Sequence, residues 1–140
     1  MAYREGDELI MATIFTRILN KELPGHFIYE DEFGGVFLSI APITPGHALV
    51  VPRQEVDHWL DLSPEQLAWC YKTAQRVGQA QMKAFNPRKV GLMIAGLEVP
   101  HTHLHVIAMQ DESDLDFAKA HEVSQEELAK AAEALRQSWE

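Results

Sequence analysis

Between Thr13 and Asn20, the residues Ile14, Phe15, Ile18 and Leu19 fall on one helical face, which predicts a short helix ending before the turn pair Pro24-Gly25. His26–Glu30 and Val36–Ile40 are β-branched and aromatic runs separated by Asp31–Gly35, whose two glycines predict a hairpin. Pro45-Gly46 turns the chain into a further apolar strand, His47–Val51, which Pro52 ends. The strongest helix signal starts at Ser63-Pro64-Glu65-Gln66, which supplies an N-cap, a proline at the first helical position and a capping-box glutamine. Its apolar stripe reads Leu67, Cys70, Tyr71, Ala74, Val77 and Met82, and Asn86-Pro87 closes it. Strands over Gly91–Ala95 and His101–Met109 follow. A second capping box, Ser124 to Glu127, opens a C-terminal helix with the face Leu128, Ala131, Ala132, Leu135 and Trp139. Short turns between early strands favour an antiparallel sheet with a long helix across it, an α+β fold.

At 140 residues, 46% hydrophobic and 24% charged, the chain has a globular composition and the length of one domain. No repeat or low-complexity tract divides it. The formal charge of -9 speaks against a sequence-independent grip on nucleic acid, which needs a basic face, but leaves room for a small phosphate-bearing ligand in a local pocket. The lone Cys70 permits neither an internal disulfide nor a paired-thiolate zinc site, and a reducing cytoplasmic address is the expectation. The first residues do not read as a secretory signal, and no apolar run is long enough to suggest a membrane span.

The chemistry concentrates in His101-Thr102-His103-Leu104-His105. On a strand these three imidazoles share one face, while Thr102, Leu104, Val106 and Ala108 take the other. Such a row either faces water or lines a site. One metal ion does not suit all three, since residues i and i+4 of a strand lie about 13 Å apart. Two of them with His47 or His58 remain an alternative metal set, and would make a metal-dependent hydrolase. Neutral imidazole is also a competent nucleophile toward phosphorus, and flanking donors can stabilise phosphoryl oxygens where charge builds up.

His101 to Ile107 resembles the signature of the histidine triad family of nucleotide hydrolases and transferases. Thr13-Ile14-Phe15, Pro24, Tyr29-Glu30-Asp31, Phe37, Pro42 and the block Pro45-Gly46-His47-Ala48-Leu49-Val50-Val51-Pro52 stand in the family's order. The resemblance spans about Thr13 to Met109, so it implies one domain over 1–140 with its core at about 13–109 and a helical extension at about 110–140. It implies a five-stranded antiparallel sheet, pairing into a homodimer, and no cofactor or obligatory metal. It gives His103 the role of a nucleophile forming a nucleotidyl-histidine at the α-phosphorus. His101 and His105 take catalytic and phosphate-positioning roles, with His47 as the fourth histidine of the phosphate site. Ile14, Phe15, Ile18, Phe37, Ile40 and Leu49 match the apolar slot for the base, with Ser39 at the ribose.

Two departures stand out. Leu97-Glu98 occupies the place of the family's amide and hydroxyl pair, and Ser39 that of an aspartate which holds both ribose hydroxyls. A carboxylate at Glu98 disfavours a polyphosphate leaving group and favours a neutral or amine one, as in phosphoramidates. A non-catalytic nucleotide-binding or sensing protein of the same fold is the rival reading.

Overall fold

The structure, a computed structural model, describes the backbone at residues 2–5 and 8–140 and side chains from Ala12 onward. A β-hairpin pairs β1 (Ala2–Glu5) with β2 (Glu8–Met11), an element without a clear signal in the sequence. The helix α1 (Ile14–Leu19) follows, capped by Thr13, whose hydroxyl accepts from Thr16 N–H. Then come β3 (Phe27–Glu30), β4 (Gly34–Leu38), β5 (Ala48–Pro52), α2 (Pro64–Phe85), β6 (Lys89–Met93), β7 (Leu104–Met109) and α3 (Gln125–Gln137). One short 3-10 turn precedes α2 at Trp59–Asp61, and two lie between β7 and α3, at Glu112–Asp114 and Phe117–Lys119.

Strands β3 to β7 form a five-stranded antiparallel sheet in the order β3-β4-β5-β7-β6. This is the α+β architecture that the pattern implies. The β3–β4 turn is fastened by Asp31, whose carboxylate accepts from Phe33 N–H at 2.8 Å, Tyr29 O–H at 2.7 Å and the Trp69 indole at 3.0 Å. Helix α2 opens on the Ser63 cap as expected and closes on Asn86, which takes the left-handed conformation (φ 51°) before Pro87.

Alternation along the strands separates two apolar layers. Val36, Leu38, Ala48, Val50, Leu104 and Val106 meet α2 and α3 on one side, and Phe37, Leu49 and Val51 meet α1 on the other. The buried face of α2 runs through Cys70, Ala74 and Val77 to Gln81, whereas Tyr71 and Met82, which the apolar stripe places inward, are 43% and 42% exposed. Hydropathy alone rates methionine above glutamine, but helical geometry puts residue 81, four after Val77, on the sheet side. Helix α3 inserts Leu128, Ala132 and Leu135 into the same core. Helix α3 is therefore part of this chain's own core.

Candidate functional site

The strand expected from His101 begins only at Leu104, because the preceding residues bond to the last residue of β5 and the loop after it instead of forming a strand ladder. Thr102 donates its N–H and its hydroxyl to the Val56 carbonyl, at 2.7 and 2.8 Å, and His101 bonds to the Pro52 carbonyl at 2.7 Å. Segment 52–56 thus holds the first half of the triad as an extended run leading into β7. His103 and His105 still end side by side, with ring centroids 4.8 Å apart, and His47 lies 5.1 Å from His105.

The hydrogen bonds fix which ring nitrogens are protonated. A carbonyl only accepts, so the 2.7 Å contact from His103 Nδ1 to the His101 carbonyl is an Nδ1–H donation. In neutral His103 this leaves the lone pair on Nε2, which has no partner and is not among the buried unpartnered atoms. Ile43 N–H donates to His47 Nδ1 at 3.0 Å, so His47 carries its proton on Nε2. That proton goes to His105 Nδ1 at 2.9 Å and puts the His105 proton on Nε2, again without a partner. An acceptor lone pair on His103 and a donor N–H on His105 result, on adjacent rings.

Burial keeps these rings neutral. Desolvation and the neighbouring His103 push His47 down to about 4, and desolvation with His103 and His47 pushes His105 down to about 3. His103 is lowered mainly by desolvation, against the raising effect of its bond to the His101 carbonyl and of Glu98. His101 occupies a different position. Its Nε2–H donates to Pro52, and Nδ1, 2.7 Å from Thr13 Oγ1, accepts the threonine proton when the ring is neutral. With both ring nitrogens engaged and the residue fully buried, His101 has its carbonyl on the His103 ring and offers no nitrogen to a phosphate. Glu55 completes the support, accepting from Thr13 N–H at 2.9 Å and Thr16 O–H at 2.7 Å. Thr16 and Glu55 carry no signal in the sequence, and Thr13 and Pro52 stand there only as landmarks, since only the tertiary structure brings the four to His101.

The apolar residues divide. Phe15, Phe37 and Leu49 form one buried cluster with Ile18 against it, and Phe15 meets the His103 ring edge-on at 4.7 Å. Phe37 and Leu49 are only 2% and 6% exposed, so they lie within the buried cluster and present almost no surface to a ligand. Ile14 and Ile40, 48% and 67% exposed, lie outside that cluster. Ser39 Oγ accepts from Ala41 N–H at 3.3 Å. Phe117, absent from the sequence reading, stands 4.9 Å from His105 and is half-exposed. His58 caps the Trp59–Asp61 turn, His26 bonds to Gln125 and His121 to the Lys119 carbonyl, so these three serve the loops. Among the described residues, no group of three or more His, Cys, Asp or Glu side chains is arranged to hold a metal ion.

The HIT-domain family model matches residues 20–112. The chain belongs to the histidine triad family. An adenosine 5′-monophosphoramidase of Saccharomyces cerevisiae is 31% identical over 130 residues, covering 85% of this chain and 82% of that protein. An asymmetrical bis(5′-nucleosyl)-tetraphosphatase of Schizosaccharomyces pombe is 31% identical over 100 residues, 65% of this chain and 55% of its own. The crystal structure of a Hit-like protein from Bartonella henselae superposes with a TM-score of 0.80 at 27% identity, covering 90% of this chain and 95% of that one. Family membership fits the sheet order, the two-sided core and the imidazole cluster described above.

Proposed function

We propose that this histidine triad protein is a nucleotide hydrolase that cleaves at the α-phosphorus of nucleoside phosphate derivatives through a covalent intermediate on His103. The observation that carries this is the unpartnered Nε2 of a ring whose other nitrogen donates to the His101 carbonyl. Nε2 attacks phosphorus, a nitrogen–phosphorus bond forms, and the bond to the leaving group breaks with its electron pair on that group. His105 Nε2–H, backed by His47, donates to a phosphoryl oxygen as charge grows there. Water then attacks phosphorus, the nitrogen–phosphorus bond breaks with its pair returning to His103 Nε2, and the proton that water gives up balances, through solvent, the one taken up by the departed leaving group. Related proteins that bear phosphoramidase and tetraphosphatase names support the reaction class.

Glu98 refines the leaving group. Its carboxylate acts electrostatically on His103 and replaces a neutral donor, which favours phosphoramidates over dinucleoside polyphosphates. Pairing into a homodimer is supported by the edge position of β6 and by a groove of about 630 Å³ lined by Tyr71, Gly78, Met82, Val90 and Leu92. A cytoplasmic address rests on the single cysteine, Cys70, which can form no internal disulfide.

Rapid quench with adenosine phosphoramidate labelled at phosphorus tests the mechanism. Label on His103, with loss of turnover in His103→Ala and nucleotide affinity kept within about tenfold, is the expected result. Turnover surviving in His103→Ala refutes the covalent route. Nucleotide binding without label or turnover in the parent protein makes the chain a binder, and loss of turnover with a chelator makes it a metal enzyme.

A further inference from the structure

Gln81 is fully buried on the sheet face of α2. Its Nε2 lies 3.0 Å from the Gly46 carbonyl and 2.9 Å from the Val106 carbonyl. Both partners only accept, so the carboxamide must present its NH2 to them, one proton each. Those carbonyls belong to the residue before His47 and the residue after His105. The ladder between β5 and β7 has its last pair at Ala48↔Val106. Past it, Gly46 takes φ +81° with the Phe85 ring so close that a Cβ would meet it at 2.3 Å, and the two strands part. Gln81 bridges them where strand pairing stops.

The glutamine is not there for packing alone. Its Oε1 is buried without a partner. Stranding one acceptor is a cost, which the two donations must offset. What those donations hold in register is the carbonyl that leads into His47 and the carbonyl of Val106, one residue beyond His105, and the rings of the two histidines share the 2.9 Å bond on the opposite side of the sheet.

We propose that Gln81 is a positioning residue that holds the His47–His105 pair from behind the sheet, and so keeps the free N–H of His105 turned toward the substrate phosphate. The importance of that pair to catalysis rests on the reaction proposed above. Its geometry can be tested without any substrate. The titratable groups acting on His105 are His47 and His103.

The experiment compares the parent with Gln81→Met, which keeps the length and removes both donors, and with Val77→Ala, a buried change one turn earlier on α2. Nitrogen-15 NMR of the histidine rings across pH reads the tautomer and titration midpoint of His105 in the resting protein, and steady-state kinetics with adenosine phosphoramidate reads turnover. In Gln81→Met the His105 midpoint is expected to rise by at least about one unit with a mixture of tautomers. The turnover number should fall by about tenfold with KM within about twofold. Val77→Ala should loosen the fold while leaving the His105 tautomer and midpoint as in the parent. If Gln81→Met folds with unchanged His105 signals, or if Val77→Ala shifts them equally, the proposal is overturned. A parent protein without turnover sinks the reaction instead, and the ring signals still decide the role of Gln81. Should Gln81→Met fail to fold, Gln81→Glu, which can donate at most one hydrogen bond, replaces it with the same expected direction.

Discussion

Acid should destabilise this protein through its imidazoles before its carboxylates. His47 and His105 are held at about 4 and about 3 in the fold, and burial lowers His101 and His103 as well. Unfolding returns each ring to about 6.5. Below that value the unfolded chain binds protons that the folded chain refuses. Stability is therefore complete above about pH 7 and falls as pH drops from 6.5 toward the folded values. Each unit is worth about 1.4 kcal/mol per ring, so at pH 5 His47 and His105 together cost about 4 kcal/mol. That is a large part of the roughly 5–15 kcal/mol that stabilises a domain. Asp31 and Glu55 have lowered values, so what they contribute is present throughout this window and is lost only in stronger acid. Urea unfolding followed by tryptophan fluorescence at pH 7, 6 and 5, at one protein concentration, measures the slope. His47→Gln, whose amide can still donate to His105 but does not titrate, should recover about 2 kcal/mol of the loss at pH 5. A midpoint that is flat from pH 7 to 5, or a His47→Gln slope equal to that of the parent, refutes the neutral-ring account.

Leu135→Ala empties a fully buried position where α3 meets α2 and the sheet, and should cost about 2–5 kcal/mol in urea unfolding; a change below about 1 kcal/mol would mean that α3 is not part of the core. Thr13→Val removes both the α1 cap and the hydroxyl on His101. It should lower stability by about 1 kcal/mol and turnover by about tenfold with little change in KM, and Thr13→Ser should restore both. Glu98→Gln should shift the ratio of catalytic efficiencies toward diadenosine polyphosphate and away from adenosine phosphoramidate, and an unchanged ratio removes Glu98 from leaving-group choice.

Local chemistry made α2 and α3 legible, because Ser63 and Ser124 declare both starts and the apolar period marks most of both buried faces. The triad was legible for a similar reason, since its alternation places His103 and His105 on one side before any partner is known. The limits of that reading are physical. Strand alternation assumes a neighbouring strand, and His101–His103 lacks one because segment 52–56 takes its hydrogen bonds. His101 therefore looks like an equal member of a row, although its nitrogens are consumed by Thr13 and Pro52. Gln81 did carry a signal, as a glutamine four residues after Val77 on a buried stripe, but hydropathy moved attention to Met82.

The same burial accounts for the proposed chemistry and its cost. A protonated His103 has no lone pair for phosphorus, so a nucleophilic imidazole works best where desolvation keeps its proton off near neutrality. A protonated His47 or His105 would attract the phosphate more strongly, but would also repel protons from its neighbours and loosen the directional chain from Ile43 N–H to His105 Nε2–H. Fixed neutral N–H groups stabilise charge as it develops on oxygen, without holding the ground state as tightly as cations do. This also reconciles a chain charge of -9 with the proposed phosphate ligand, because oriented dipoles on largely buried rings act locally while the net charge is screened by solvent. The loss of stability expected in acid then follows from the same burial that would keep the rings uncharged for that chemistry.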